Sequence, residues 1–112
     1  MSAASSVPAD DRIERVSIVK RANVFGGGRC VSHTVHDEAG ARKSVGVILP
    51  GTLTFETAAP ERMEIVAGRC RVQLAGSPEA DEYGPGQEFS VPGSSSFRIE
   101  ALEPLHYVCH FG

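Results

Sequence analysis

No apolar run in this chain approaches the roughly 20 residues that a membrane span requires. Its first residues, M-S-A-A-S-S-V-P-A-D-D, lack the basic head and apolar stretch of an export signal, so a cytoplasmic location and no membrane partner are expected. Positive charge is not in surplus either. A formal net charge of −3 opposes the counterion displacement on which general nucleic-acid binding depends, and no nucleic-acid partner is expected. Cysteine is sparse: Cys30, Cys70 and Cys109 are odd in number and far apart. With no C-x-x-C or C-x-x-H pair they exclude the common zinc and redox patterns and read as reduced, buried or half-buried thiols. No stretch of about ten residues keeps a helical period. No serine stands in a nucleophile elbow, and neither a helix signal nor a Lys-Ser/Thr pair follows Gly26-Gly27-Gly28, which reads as a flexible turn.

What is present is one domain's worth of folding sequence. The 112 residues are 41% hydrophobic and 22% charged, which suits one core and one site. Residues 1–11 offer almost nothing to bury and read as a tail. The segment R-I-E-R-V-S-I-V-K-R (12–21) permits either a helical turn or an added edge strand, so 1–21 is taken as a flexible N-terminal extension and 22–112 as the domain. From Asn23 onward, short alternating apolar runs are bounded by Gly, Pro, Asp and Ser, the pattern of an all-β sandwich or barrel. The expected strands are R-C-V-S-H-T-V, K-S-V-G-V-I-L, T-L-T-F-E-T, M-E-I-V-A, R-C-R-V-Q-L, E-F-S-V, F-R-I-E and L-H-Y-V-C-H-F. Pro50-Gly51 predicts a tight turn, Ala67-Gly68 a hairpin and Tyr83-Gly84-Pro85-Gly86 a wider loop. Alternation assigns Val45, Val47 and Leu49, then Leu53, Phe55, Met63, Ile65, Val72, Leu74, Phe97, Ile99, Leu105, Tyr107, Cys109 and Phe111, to the core.

The segment G-T-L-T-F-E-T-A-A-P-E-R-M-E-I-V-A-G, Gly51 to Gly68, resembles the first cupin motif, and G-Q-E-F-S-V-P-G-S-S-S-F, Gly86 to Phe97, resembles the second. The resemblance implies a single cupin-type barrel, an RmlC-like jelly roll. Metal-binding cupins place two histidines and a glutamate in the first motif and a histidine in the second. Here the glutamate falls at Glu61, but the histidine positions fall near Thr54, Phe55, Glu56 and Thr57, and near Phe97, none of which donates an imidazole. No metal and no cofactor are therefore expected. More specifically, N-V-F-G-G-G, R-K-S-V-G-V, the F-E-T-A-A-P-E-R-M-E-I-V-A-G hairpin, F-S-V-P-G-S-S-S-F and P-L-H-Y-V-C-H-F resemble the pyrimidine/purine nucleoside phosphorylases, a small non-metal cupin family, over Asn23 to Phe111. That resemblance implies phosphorolysis of many nucleosides to free base and ribose 1-phosphate, with phosphate as co-substrate, in a homodimer. Small all-β domains also commonly protect an edge strand by pairing it, and the terminal strands are the candidates.

Phosphorolysis asks a site to hold phosphate near the anomeric carbon, to stabilise an oxocarbenium-like sugar and to accommodate the departing base. Arg42 is the candidate for phosphate because its guanidinium is a planar bidentate donor at the head of a predicted strand, with Lys43 in reserve. Ser44 shares a face with Arg42 and offers a second donor. Glu61, at the metal-ligand position of the motif, is expected to face the sugar. Thr57 and Ser95 offer hydroxyls from the two motifs, and Tyr107 an inward phenol to meet the base. His106 and His110 fall on the face opposite Tyr107, and His33 and His36 on opposite faces of one strand. Two other readings fit the same barrel. One is a non-catalytic cupin that binds a small molecule, marked by saturable binding without turnover. The other is a metallo-cupin using Glu56, Glu61 and a histidine, marked by sensitivity to chelation.

Overall fold

β-Branched and aromatic residues spaced two apart, interrupted by Gly, Pro and Asp, make strands, and the computed structural model, which describes residues 11–112, has eleven of them. They are β1 (Ser17–Ile18), β2 (Asn23–Phe25), β3 (Cys30–His36), β4 (Arg42–Ile48), β5 (Gly51–Glu56), β6 (Glu61–Ala67), β7 (Cys70–Leu74), β8 (Asp81–Tyr83), β9 (Glu88–Val91), β10 (Ser96–Ala101) and β11 (Leu105–Phe111). All eight expected strands are among them. Residues 1–10, most of the expected tail, lie outside the described residues. The segment 12–21, open between helical turn and edge strand, contributes β1, which pairs with the end of β3.

The strands form two antiparallel sheets. One runs β1-β3-β4-β11-β6-β9, with β2 paired to the first half of β3, and the other runs β5-β10-β7-β8. The chain changes sheet between β4 and β5, β5 and β6, and β6 and β7, and again between β8 and β9, β9 and β10, and β10 and β11. This repeated switching is the topology of a jelly roll. Ala67-Gly68, expected as a hairpin, is instead one of these crossings, as is the turn between β5 and β6. Gly68 takes a φ of +90° there, and a Cβ on it would lie 2.3 Å from the Pro104 carbonyl oxygen, so the chain can pass this corner only as glycine.

Between the sheets Ile48, Ile65, Ile99, Leu105 and Val91 are almost wholly removed from water. Each such side chain contributes roughly 1.5–3 kcal/mol relative to exposure. The expected inward face holds for β6, β7, β10 and β11 but not for β4, where Val45 and Leu49 are exposed and Ser44 and Ile48 are buried. The reason lies in what β4 faces. In its inward row of Arg42, Ser44, Gly46 and Ile48, Arg42 and Ser44 border a cavity and Ile48 reaches the core, while its valines lie on the outer side of the larger sheet.

Gly46 is the tightest point of that row. It pairs with Ser32 on β3 and Tyr107 on β11, and a Cβ at Gly46 would lie 2.6 Å from the Val31 carbonyl oxygen and 2.7 Å from Ser32 Cβ. Because backbone cannot yield as a flexible side chain does, Gly46→Ala is expected to lower stability by about 1–3 kcal/mol. Thermal or urea unfolding measures it, and an unchanged midpoint would show that the sheet absorbs the methyl group.

Candidate active site

The inward faces of β3, β4, β11 and β6 form rows across the larger sheet. The deepest polar row is Ser32–Gly46–Tyr107, the next is Thr34–Ser44–Cys109–Met63, and Phe111 and Glu61 pair in the row nearest the mouth. Arg42 joins that last row, with its guanidinium carbon 4.1 Å from the centre of the Phe111 ring. These rows line a cavity of about 240 Å³. Its other wall carries Phe55 and Phe97 from the smaller sheet and Phe25 from β2. Phe25 meets Phe55 edge-on at 5.6 Å, and Phe55 lies 5.6 Å from Phe97, which gives one side of the cavity a continuous aromatic surface.

Four residues singled out in the sequence therefore meet: Arg42, Ser44, Glu61 and Tyr107 all line this cavity. Burial holds the Glu61 carboxyl above its usual range, against the downward pull of the Cys109 thiol, which donates to Oε1 at 3.5 Å, and of the Arg42 charge. Burial raises the Cys109 thiol as well, and the neighbouring Glu61 charge adds to it, so this cysteine is a neutral donor and not a nucleophile. Tyr107 is raised first by burial and then by its hydrogen bond with Cys30, 3.4 Å from Oη to Sγ, and it stays a neutral phenol at the cavity floor.

Thr57 and Ser95 are placed differently and are not among the cavity-lining residues. The Thr57 hydroxyl donates to the Pro92 carbonyl at 2.6 Å and accepts from the Ser95 amide at 3.0 Å, while the Thr57 amide donates to the Ser95 carbonyl. Together they tie the two motif loops to each other. Thr57→Val is expected to cost about 1–3 kcal/mol of stability, because it leaves the half-buried Ser95 amide without its acceptor, and to leave turnover nearly unchanged. Unfolding beside steady-state kinetics measures both, and a fall in kcat/KM without loss of stability would assign Thr57 a substrate contact instead.

Lys43, the reserve for Arg42, points to the outer face and pairs with Asp37 at 3.1 Å. His110 on that same side reaches Glu64 at 2.9 Å, and His106 is exposed. Among the described residues no three His, Cys, Asp or Glu side chains converge as a metal site would need, and no helix is long and apolar enough to cross a membrane. The three cysteines are free and buried.

Sequence reasoning passed over Asn23, Ser32 and Thr34, which line the same cavity. Ser32 and Thr34 look like ordinary strand hydroxyls. The available signal was their spacing of two, in phase with Cys30, which sets polar groups where an inward row should be apolar.

The sequence and the fold both have counterparts among known proteins. A family model described as pyrimidine/purine nucleoside phosphorylase matches residues 20–111. The pyrimidine/purine nucleoside phosphorylase of Thiobacillus denitrificans is 62% identical over 102 residues, covering 90% of this chain and 98% of the relative. That of Methylococcus capsulatus is 59% identical over 101 residues with the same coverage. A crystal structure of an Acinetobacter sp. ADP1 protein of unknown function superposes with a TM-score of 0.88 at 51% identity, over 90% of this chain and 98% of that one. With a family model spanning most of its length and relatives at about 60% identity, this chain belongs to the pyrimidine/purine nucleoside phosphorylase family.

Proposed function

We propose that this chain splits purine and pyrimidine nucleosides with inorganic phosphate, giving the free base and ribose 1-phosphate, with no metal or organic cofactor. The observation that carries the reading is the meeting of Arg42, Ser44 and Glu61 at one end of a small cavity whose facing wall is aromatic. A cation and a hydroxyl suit the phosphate, a carboxylate suits the sugar, and an apolar wall suits a base of either class.

In this reading the Arg42 guanidinium holds phosphate at the mouth, and Ser44, two residues along the same strand face, donates a second hydrogen bond. A phosphate oxygen forms the bond to the anomeric carbon as the bond from that carbon to the base nitrogen breaks. The electron pair leaves with the base, which takes a proton from solvent. Positive charge grows on the sugar in the transition state, and the Glu61 carboxylate opposes it. Tyr107 donates no proton in this scheme, since its phenol is held neutral far above working pH, and it serves as a polar floor for the substrate. Thr57 and Ser95 support the site by joining its two loops.

Breadth of substrate follows from this division of labour. Phosphate and sugar are common to every nucleoside, whereas discrimination among bases needs buried polar groups matched to one of them, and the wall of Phe25, Phe55 and Phe97 supplies none. We take the working protein to be a cytoplasmic homodimer. In favour of a dimer are the apolar side chains left open on the edge strands β1 and β2, with Ile18 59%, Val24 62% and Phe25 43% exposed.

Release of free base from uridine, adenosine, guanosine and inosine, with and without phosphate and in the presence of a chelator, tests the reading. Phosphate-dependent release from both base classes that survives chelation is expected. Saturable nucleoside binding without release would make this a binding cupin, and loss of release on chelation would bring a metal into the reaction.

A further inference from the structure

Asn23 opens β2 and lines the cavity, half-buried. Its side-chain amide nitrogen lies 3.3 Å from Ser32 Oγ and 3.2 Å from Thr34 Oγ1, so both hydrogens of the amide are spent on the floor of β3. Both hydroxyl oxygens carry lone pairs that accept from the amide, and the register that sets Asn23 opposite Ser32 holds the side chain over that floor. What remains is Oδ1, an acceptor held in one orientation, to which no donor among the described residues is bonded.

An oriented acceptor recognises a donor on the substrate. The base is a poor candidate, because its donors differ in kind and position, a ring N–H in uracil and hypoxanthine and an exocyclic amine in adenine and cytosine, whereas the sugar hydroxyls are common to all of their nucleosides. Resting on the phosphorolysis reading above, we infer that Asn23 is a sugar-positioning residue whose Oδ1 accepts a hydrogen bond from one ribose hydroxyl, with Ser32 and Thr34 fixing its amide. The bond orients the sugar ring relative to phosphate at the mouth, so that the anomeric carbon faces the attacking oxygen.

The test compares the full-length wild type with Asn23→Ala on uridine and its 2′-deoxy, 3′-deoxy and 5′-deoxy analogues at saturating phosphate, with kcat/KM as the readout. The substitution is expected to lower kcat/KM by about 3- to 10-fold, the size of one neutral hydrogen bond, for uridine and for two of the analogues. For the analogue that lacks the partnered hydroxyl the loss should vanish. A merely structural role would depress all four substrates alike, and that result overturns the inference, as does no loss on any. A loss seen with uridine and inosine but absent with adenosine would assign the bond to the base and overturn it equally. The wild type supplies a check that needs no variant: if it turns over all three deoxy analogues as well as uridine, no sugar hydroxyl is being read. Absence of base release from wild-type protein would instead defeat the phosphorolysis reading, and the inference with it.

Discussion

Arg42→Ala is expected to raise the KM for phosphate and lower kcat/KM for phosphate on the order of 100-fold, with little change in the unfolding midpoint. The size follows from the loss of a charge-assisted, bidentate contact worth about 1.5–3 kcal/mol. The small effect on stability follows from position. Arg42 is exposed at the head of β4, and its guanidinium lies over the face of Phe111 at 4.1 Å, a cation–π contact worth about 0.5–1 kcal/mol at such a site. Arg42→Lys should recover only part of the activity, because an ammonium keeps the charge but not the fork. Initial rates against phosphate at fixed uridine measure the effect, and a variant with wild-type phosphate kinetics would remove Arg42 from the phosphate site.

The strand pattern was legible wherever one face of a strand is buried by apolar side chains. Met63 and Ile65 on β6 and Phe97 and Ile99 on β10 alternate with exposed or half-exposed neighbours, Leu105, Tyr107 and Cys109 on β11 are buried together with Val108 on its other face, and all of the inward residues lie inside as expected. β1, β2 and β8 have two or three residues each, too few for a period to register, and tertiary pairing alone makes them strands. On β4 alternation gave the phase but the opposite sign, since its inward row carries Arg42 and Ser44 into the cavity and reaches the core only at Ile48. Arg42 and Ser44 were still grouped correctly, because sharing a face depends only on the period of two. Local sequence also cannot say which sheet the next strand joins, so Ala67-Gly68 read as a hairpin although β6 and β7 belong to different sheets.

The same limit explains the candidate site. Glu61 was legible through its place in the cupin motif, and Tyr107 through alternation. Asn23, Ser32 and Thr34 become site residues only because β2 folds against β3 beside β4, and a polar row on one strand gains meaning from the rows that continue it on the next. Thr57 stood at a histidine position of the first motif, and Ser95 offered a hydroxyl from the second. Here the Thr57 hydroxyl donates to the Pro92 carbonyl and accepts from the Ser95 amide.

Glu61→Gln is expected to lower kcat by about 10²- to 10³-fold for every nucleoside alike, the cost of removing one preorganised group from a developing charge. Equal losses across bases would follow from a role toward the sugar, and a loss confined to one base would move Glu61 beside the nucleobase. The pH dependence gives a second, independent reading. Burial raises the Glu61 carboxyl, against the pull of Cys109 and Arg42, and the working form is the carboxylate, so wild-type kcat should fall as pH drops through a value above the ordinary carboxylate range. The glutamine variant has no such group and should lack that limb. Stability runs the other way. A carboxyl raised on folding binds its proton more tightly in the native state, so its contribution is fully present below the unfolded value and is lost as pH rises through the raised one. Relative to wild type, Glu61→Gln should therefore gain in unfolding midpoint at neutral pH compared with acidic pH while it loses turnover. A variant that lost both together at neutral pH would mark Glu61 as a structural residue, and one that kept the acidic limb would assign that limb to another group.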